Sequence, residues 1–362
     1  MCLLRLATVV AFASIACAEG SAPTPPTGTH ACTKDSDCDK GRCVESGGEH
    51  RCVSLCTEYC DTMVDVCTGA SAPYADRGSC DKACGTFPSS GAPGDSSGDS
   101  VHCRAFHAQA ASSDPRTHCA HASIGGGGVC GDSCEIYCRM IQTACTGANA
   151  QYADVGSCLT ECATMELGHT QEGDTLSCRL YHLGAALSDP GAHCGHAGAD
   201  GAGVCGSTCE VYCRRMEGAC KQPQTRQYSD LAACLGECAA MPADGSAGDL
   251  SGDSVQCRMT HARAALADPA AHCSHAGPTG GAACGSFCDV YCRQAAERCT
   301  GADDLFANDS ACGPACAAYS DRGAVGSDSG DTVQCRLFHL GAARTDATHC
   351  AHAAPDGGGV CQ

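Results

Sequence analysis

The sequence predicts an all-α, small disulfide-rich protein, a tandem array of four helical eight-cysteine repeats after a short four-cysteine module. Three observations carry this reading. Cysteine accounts for 38 of 362 residues, a density that marks a covalently stapled scaffold folded in an oxidising compartment. Large apolar residues are scarce: Leu, Ile, Val and Phe together number 43, there is no Trp, and the formal charge is −19. A chain so poor in core formers stays disordered unless something else restricts it, and cross-links do so. The third observation is that the cysteines recur in register.

The chain opens with an export signal. Residues 1–18 carry an early Arg5, an apolar run from Leu6 to Ile15 and small residues after it, the pattern of a signal peptide too short to span a bilayer. No later segment reads as transmembrane. Two processing readings compete: Ala16-Cys17-Ala18 fits ordinary cleavage, whereas Ser14-Ile15-Ala16-Cys17 resembles a bacterial lipobox and would leave a lipid anchor at Cys17. Without Cys2 and Cys17 the remaining 36 cysteines are even in number. Residues 19–31, rich in Ser, Pro, Thr and Gly, read as a tether, and Cys32, Cys38, Cys43 and Cys52 form the leading module, 32–52.

Four sets of eight cysteines follow, at 56–130, 134–205, 209–284 and 288–361, with nearly identical spacing. Each set is even, so each repeat is expected to close on itself with four bridges, in one of 105 pairings that sequence leaves open. Only three residues separate the last cysteine of one set from the first of the next, which predicts a stiff rod or solenoid.

Within a repeat the signals are helical. Cys56-x3-Cys60 with Cys67 seven later puts three sulfurs on one helical face around Tyr59, Met63 and Val64, and Cys80-x3-Cys84 makes a second short helix. The pair suggests a helical hairpin closed by two bridges, and it resembles alpha-hairpinins and other twin-C-x3-C helical proteins. A third helix is expected after the caps Ser100, Thr175, Ser254 and Thr332. A fourth is expected after Asp114-Pro115, Asp189-Pro190 and Asp268-Pro269, with Asp346-Ala347 in the last copy. A Gly-rich stretch such as Gly125 to Gly128 closes the unit. The whole unit, C-R-x-x-H then H-C-x-H-A then G-x-V-C, resembles the Cys-rich repeats of secreted proteins in myxobacteria-like bacteria. That resemblance implies a bacterial cell-exterior setting and points to no particular activity.

Twelve histidines hold fixed repeat positions: His107, His118 and His121; His182, His193 and His196; His261, His272 and His275; His339, His349 and His352. The last two of each set are three apart, on one helical face, and the first lies on the preceding helix. If those helices form a hairpin, three imidazoles converge. Oxidised cysteines offer no thiolate, so such a site would suit Zn²⁺ or Cu²⁺. The competing reading is that these histidines are compact packing and hydrogen-bonding groups in a module with little aliphatic core. Arg104, Arg179, Arg258 and Arg336 follow the helix-three cysteine and are expected to pair with a carboxylate or bind carbonyls within the unit, an acidic ligand being the other reading.

No catalytic constellation emerges. C-x-x-C is absent, and the Gly-Asp-Ser segments lie before helices with no surrounding strand pattern. With four lysines and no basic patch, nucleic-acid binding is disfavoured. The expectation is a non-enzymatic secreted or cell-surface protein that builds structure or binds a protein or glycan surface. The alternative is a metal-binding or metal-sequestering protein with one three-His site per repeat.

Overall fold

A computed structural model describes residues 31–34, 37–38 and 41–362. The signal peptide, Cys17 with its lipid-anchor reading, and the tether up to residue 30 lie outside the described residues. The chain divides into two compact units, ending and beginning at Ser54 and Leu55.

The first unit departs from the helical expectation. Strands β1 (Gly41–Ser46) and β2 (Glu49–Ser54) pair antiparallel, joined by Gly47 and Gly48, both at positive φ. A Gly-Gly pair in the left-handed region gives a tight hairpin turn whose twist matches the strands, and Val44 and Val53 on either side favour extended backbone. Bridges Cys32–Cys43 and Cys38–Cys52 staple the hairpin, and Ala31, the last tether residue, pairs with Arg51.

The second unit is helical, four helices to a repeat. The first repeat contains α1 (Leu55–Val66), α2 (Arg77–Thr86), α3 (Val101–Ala111) and α4 (Pro115–Ala122). The second contains α5 (Ser133–Ala144), α6 (Val155–Cys162), α7 (Leu176–Ala186) and α8 (Pro190–Ala197). The third has α9 (Thr208–Ala219), α10 (Leu231–Cys238), α11 (Val255–Ala265) and α12 (Pro269–Ala276). The fourth has α13 (Phe287–Arg298), α14 (Asp309–Cys316), α15 (Val333–Ala343) and α16 (His349–Ala353).

Local chemistry sets these ends. Ser100, Thr175, Ser254 and Thr332 each accept the backbone N–H three residues on, opening the third helix. Asp114, Asp189 and Asp268 do the same for the fourth, each followed by proline at the first helical position. Where Ala347 replaces that proline, α16 shrinks to five residues.

One bridge pattern recurs in all four repeats. Cys56–Cys84 and Cys60–Cys80 join α1 to α2, closing the helical hairpin. Cys67–Cys119 ties the end of α1 to α4, and Cys103–Cys130 ties α3 to the Gly-rich segment that ends the repeat. The helices sit around a buried tyrosine. Tyr59 donates to the Ala122 carbonyl at 2.5 Å and meets the Tyr74 hydroxyl at 2.6 Å; Tyr137 and Tyr212 repeat this with Ala197 and Tyr152, and with Ala276 and Tyr228. In the fourth repeat Tyr291 keeps the carbonyl of Ala353, and Phe306 replaces the second tyrosine, edge-on. Burial raises the Tyr152 hydroxyl to about 12, so the pair stays neutral. Val64, expected on the sulfur-bearing face of α1, is turned outward, while Tyr59 and Met63 fill the interior.

Candidate metal centre

In each repeat the third and fourth helices pack as the hairpin on which the histidine reading depended. His107 projects from α3, and His118 and His121 project from α4. Their ligand nitrogens all lie within 4.8 Å of one another, as do those of His182, His193 and His196. In the third repeat the His261 ring centroid is 5.3 Å from that of His272 and 5.0 Å from that of His275. In the fourth, His339 is 5.2 Å from His349 and 4.7 Å from His352. All twelve histidines therefore fall into four triads.

The triads share a hydrogen-bond geometry. The first two members face one another through Nδ1, at 2.8 Å for His107 and His118, 3.3 Å for His182 and His193, 3.1 Å for His261 and His272, and 2.9 Å for His339 and His349. Two ligand nitrogens of a tetrahedral zinc lie about 3.3 Å apart, given Zn–N bonds of about 2.0–2.1 Å, so the facing nitrogens are already near that separation. Nε2 of His107, His261 and His339 faces the carbonyl of Ser96, Leu250 or Asp328. A carbonyl can only accept, so Nε2 carries the proton and the Nδ1 lone pair points into the triad. The third member supplies an unmet acceptor: Nδ1 of His121, His196, His275 and His352 is buried without a hydrogen-bond partner. An orphaned buried imidazole nitrogen is costly, and it recurs at the same position four times.

The electrostatics keep lone pairs available. Burial lowers the basicity of His121, His275 and His339, and nearby imidazoles add to the effect. Burial, with His196 and His193, brings His182 down to about 4. Neutral imidazole is the ligating form. An aromatic residue stands edge-on to the first histidine in three repeats: Phe106, Tyr181 and Phe338, at 5.2 to 5.3 Å.

The arginine after the helix-three cysteine positions the site. Arg104 is fully buried; its Nε donates to the Ser123 carbonyl, Nη2 to Ile124 and Nη1 to Ser100 and the Asp99 carboxylate. It thus ties the end of α4, which bears His121, to the start of α3. Arg179, Arg258 and Arg336 do the same with Asp174, Asp253 and Asp331. Past α4 the chain turns back sharply: Gly127 has φ of 55°, and a β-carbon there would lie 2.8 Å from the Ala120 carbonyl oxygen.

The cysteines nearest the triads, Cys103 and Cys130, are bonded to each other and offer no thiolate. The model of the BfoA family C-terminal domain matches four times, over residues 49–133, 134–208, 206–289 and 285–362. The chain belongs to the BfoA family. Each BfoA-type repeat here carries one triad, a buried arginine after the helix-three cysteine and a buried tyrosine on the first helix. No curated protein and no solved structure matches the chain.

Sequence reading placed the twelve histidines but missed their partners. The carbonyls of Ser96, Leu250 and Asp328 are backbone groups on loops, invisible to residue type. The second tyrosine of the core pair does carry a signal, since Tyr74, Tyr152 and Tyr228 recur 15 or 16 residues after the first.

Proposed function

We propose that this protein is an exported, non-enzymatic array that holds Zn²⁺ or Cu²⁺, one ion per repeat, on its histidine triads. The observation that carries the reading is the fourfold recurrence of a buried, partnerless Nδ1 beside a facing Nδ1 pair. Three imidazoles supply three nitrogen ligands and leave a coordination position open; the same site repeated in all four repeats is what favours holding ions over turning over a substrate. The 18 disulfides among the described residues suit an extracellular or cell-surface setting, and no helix among the described residues is long and apolar enough to cross a membrane. Four sites on one chain give multivalent loading, and the stapled repeats present a fixed surface to a protein or glycan partner. Secretion by myxobacteria-like bacteria, with or without a lipid at Cys17, fits the same setting.

Equilibrium dialysis of the oxidised full chain against Zn²⁺ and Cu²⁺ tests the reading. About four tight sites per chain are expected, falling by one with each of His121→Ala, His196→Ala, His275→Ala and His352→Ala. Fewer than one tight site per repeat, or four sites that survive all four substitutions, would overturn it.

A further inference from the structure

The second and third repeats meet around a cavity and a buried arginine. A cavity of about 500 Å³ opens between them, lined among others by Ala202, Thr208, Arg215, Gln256, Met259 and Arg263. Arg215 is 1% exposed. Its Nε donates to Glu161 at 2.8 Å and its Nη2 to Asp200 at 2.6 Å, but Nη1 meets only the Met259 sulfur, at 3.7 Å. A thioether is a weak acceptor, and a buried guanidinium N–H calls for an oxygen. Arg263 stands 3.9 Å from both Glu161 and Asp200, beyond hydrogen-bond range. Gln256 donates through Nε2 to the Ala243 carbonyl, which leaves its buried Oε1 without a partner.

Charge and composition agree with these gaps. Arg179, Arg214, Arg215 and Arg263 share the carboxylates of Asp174, Glu161 and Asp200, leaving one positive charge in excess on a chain of net −19. Packing does not demand that charge. The residue two after the second cysteine is Met140 in the second repeat and Gln294 in the fourth, and the residue two after the first histidine is Gln109, Gly184 or Gly341 where the third repeat has Arg263.

We propose that this cavity binds a small organic carboxylate with an adjoining amide and a short apolar body, the pattern of an N-acyl amino acid. Nη1 of Arg215 and the half-exposed fork of Arg263 take the carboxylate. Gln256 Oε1 accepts the amide N–H, and Ala202, Ala247 and Met259 cover the apolar body. The volume lies within the range of small-molecule sites. None of these groups belongs to a histidine triad, so the site stands or falls independently of metal binding.

The test is a titration of the ¹⁵N-labelled full chain with N-acetyl-leucine, read on the arginine Nε–Hε and backbone amide resonances, with N-acetyl-leucinamide as the neutral control. Saturable shifts at Arg215, Arg263 and their neighbours are expected, with a Kd of about 1 mM or tighter and at least roughly tenfold preference for the acid over the amide. Arg263→Gln, a surface change, should weaken binding about fivefold or more. Arg215→Met, which borrows the residue of the second repeat, should abolish saturation while far-UV circular dichroism is kept; if that variant unfolds, Arg263→Gln alone decides. Equal affinity for acid and amide, no saturable shift, or unchanged binding in Arg263→Gln would overturn the proposal.

Discussion

The junction between the first and second repeats and the junction between the second and third are built from opposite materials. At the first, Ala83 on α2 and Met140 on α5 are buried in one apolar cluster that runs through both repeats and includes Ile124, Leu180 and Leu183. At the second, the places of Ala83 and Met140 are taken by Glu161 and Arg215, both almost fully buried and joined at 2.8 Å. Arg214 adds a second guanidinium at 3.1 Å from Glu161, and the apolar cluster of the third repeat is separate. The third junction follows the second: Glu237 receives Arg298 and Gln294. Thus the same helix faces either merge two small cores or keep them apart with a buried ion network. A buried network adds little net stability over an apolar replacement, while removal of one partner is strongly destabilising.

The largest expected effect comes from breaking one side of that network. Glu161→Ala removes the buried carboxylate shared by Arg214 and Arg215, leaving Arg215 with only the half-exposed Asp200, and should cost about 3–5 kcal/mol, measured by urea unfolding followed through hydrogen exchange of α6 and α9. The double change Glu161→Ala with Arg215→Met copies the first junction at these two positions and should recover most of that loss, because the buried pair is removed together, Arg214 keeps Asp174, and the half-exposed Asp200 stays solvated. Failure of the double variant to recover would mean that the two junctions differ in backbone geometry and not only in side chains.

Acid should separate the junctions further. Burial by itself would raise the Asp200 carboxyl, yet Arg215 and Arg263 outweigh it and hold it below the ordinary carboxylate value. A depressed carboxylate contributes stability above its unfolded pKa and loses it as pH falls through the folded one. Below about pH 4, amide protection in α9 should therefore drop ahead of that in α5, which reaches the first repeat's carboxylates only through the half-exposed Arg139–Asp99 pair. At milder acidity the metal-free histidines act. For a lowered imidazole the unfolded chain takes the proton first, so stability falls as pH drops from 6.5 toward the folded value. The fall should be largest in the second repeat, where His182 reaches about 4.

How much of this was legible in sequence follows from what each feature is made of. Helix starts were readable because caps are side chains: Ser100, Thr175, Asp114 and Asp189 announce themselves. The hairpin closed by Cys56–Cys84 and Cys60–Cys80 was readable because two C-x3-C segments put pairs of sulfurs on facing turns. The other two bridges were not, since Cys67 and Cys119 meet only through the tertiary path of α3 and α4. The histidines were found by their repetition, but the orphaned Nδ1 of His121 depends on ring orientation. The junction exchange of Ala83 and Met140 for Glu161 and Arg215 was present in the sequence as a paired change between repeats. It gains meaning only once α2 and α5 are known to touch across the boundary.

The smallest expected effect tests a detail of the repeat ends. Ala202 holds φ of 45° where the other three repeats have glycine. Ala202→Gly relieves left-handed strain and should raise stability by about 1 kcal/mol, seen as a higher melting temperature. No gain would mean that the surrounding loop already absorbs the strain.

Anomalous diffraction from crystals of the oxidised chain equilibrated with Zn²⁺ or Cu²⁺ most directly tests the claim that the array holds metal. The prediction is four anomalous peaks, one in each triad, with histidine nitrogens at about 2.0–2.1 Å from the ion. Peaks only on surface carboxylates, or empty triads under saturating metal, would contradict it.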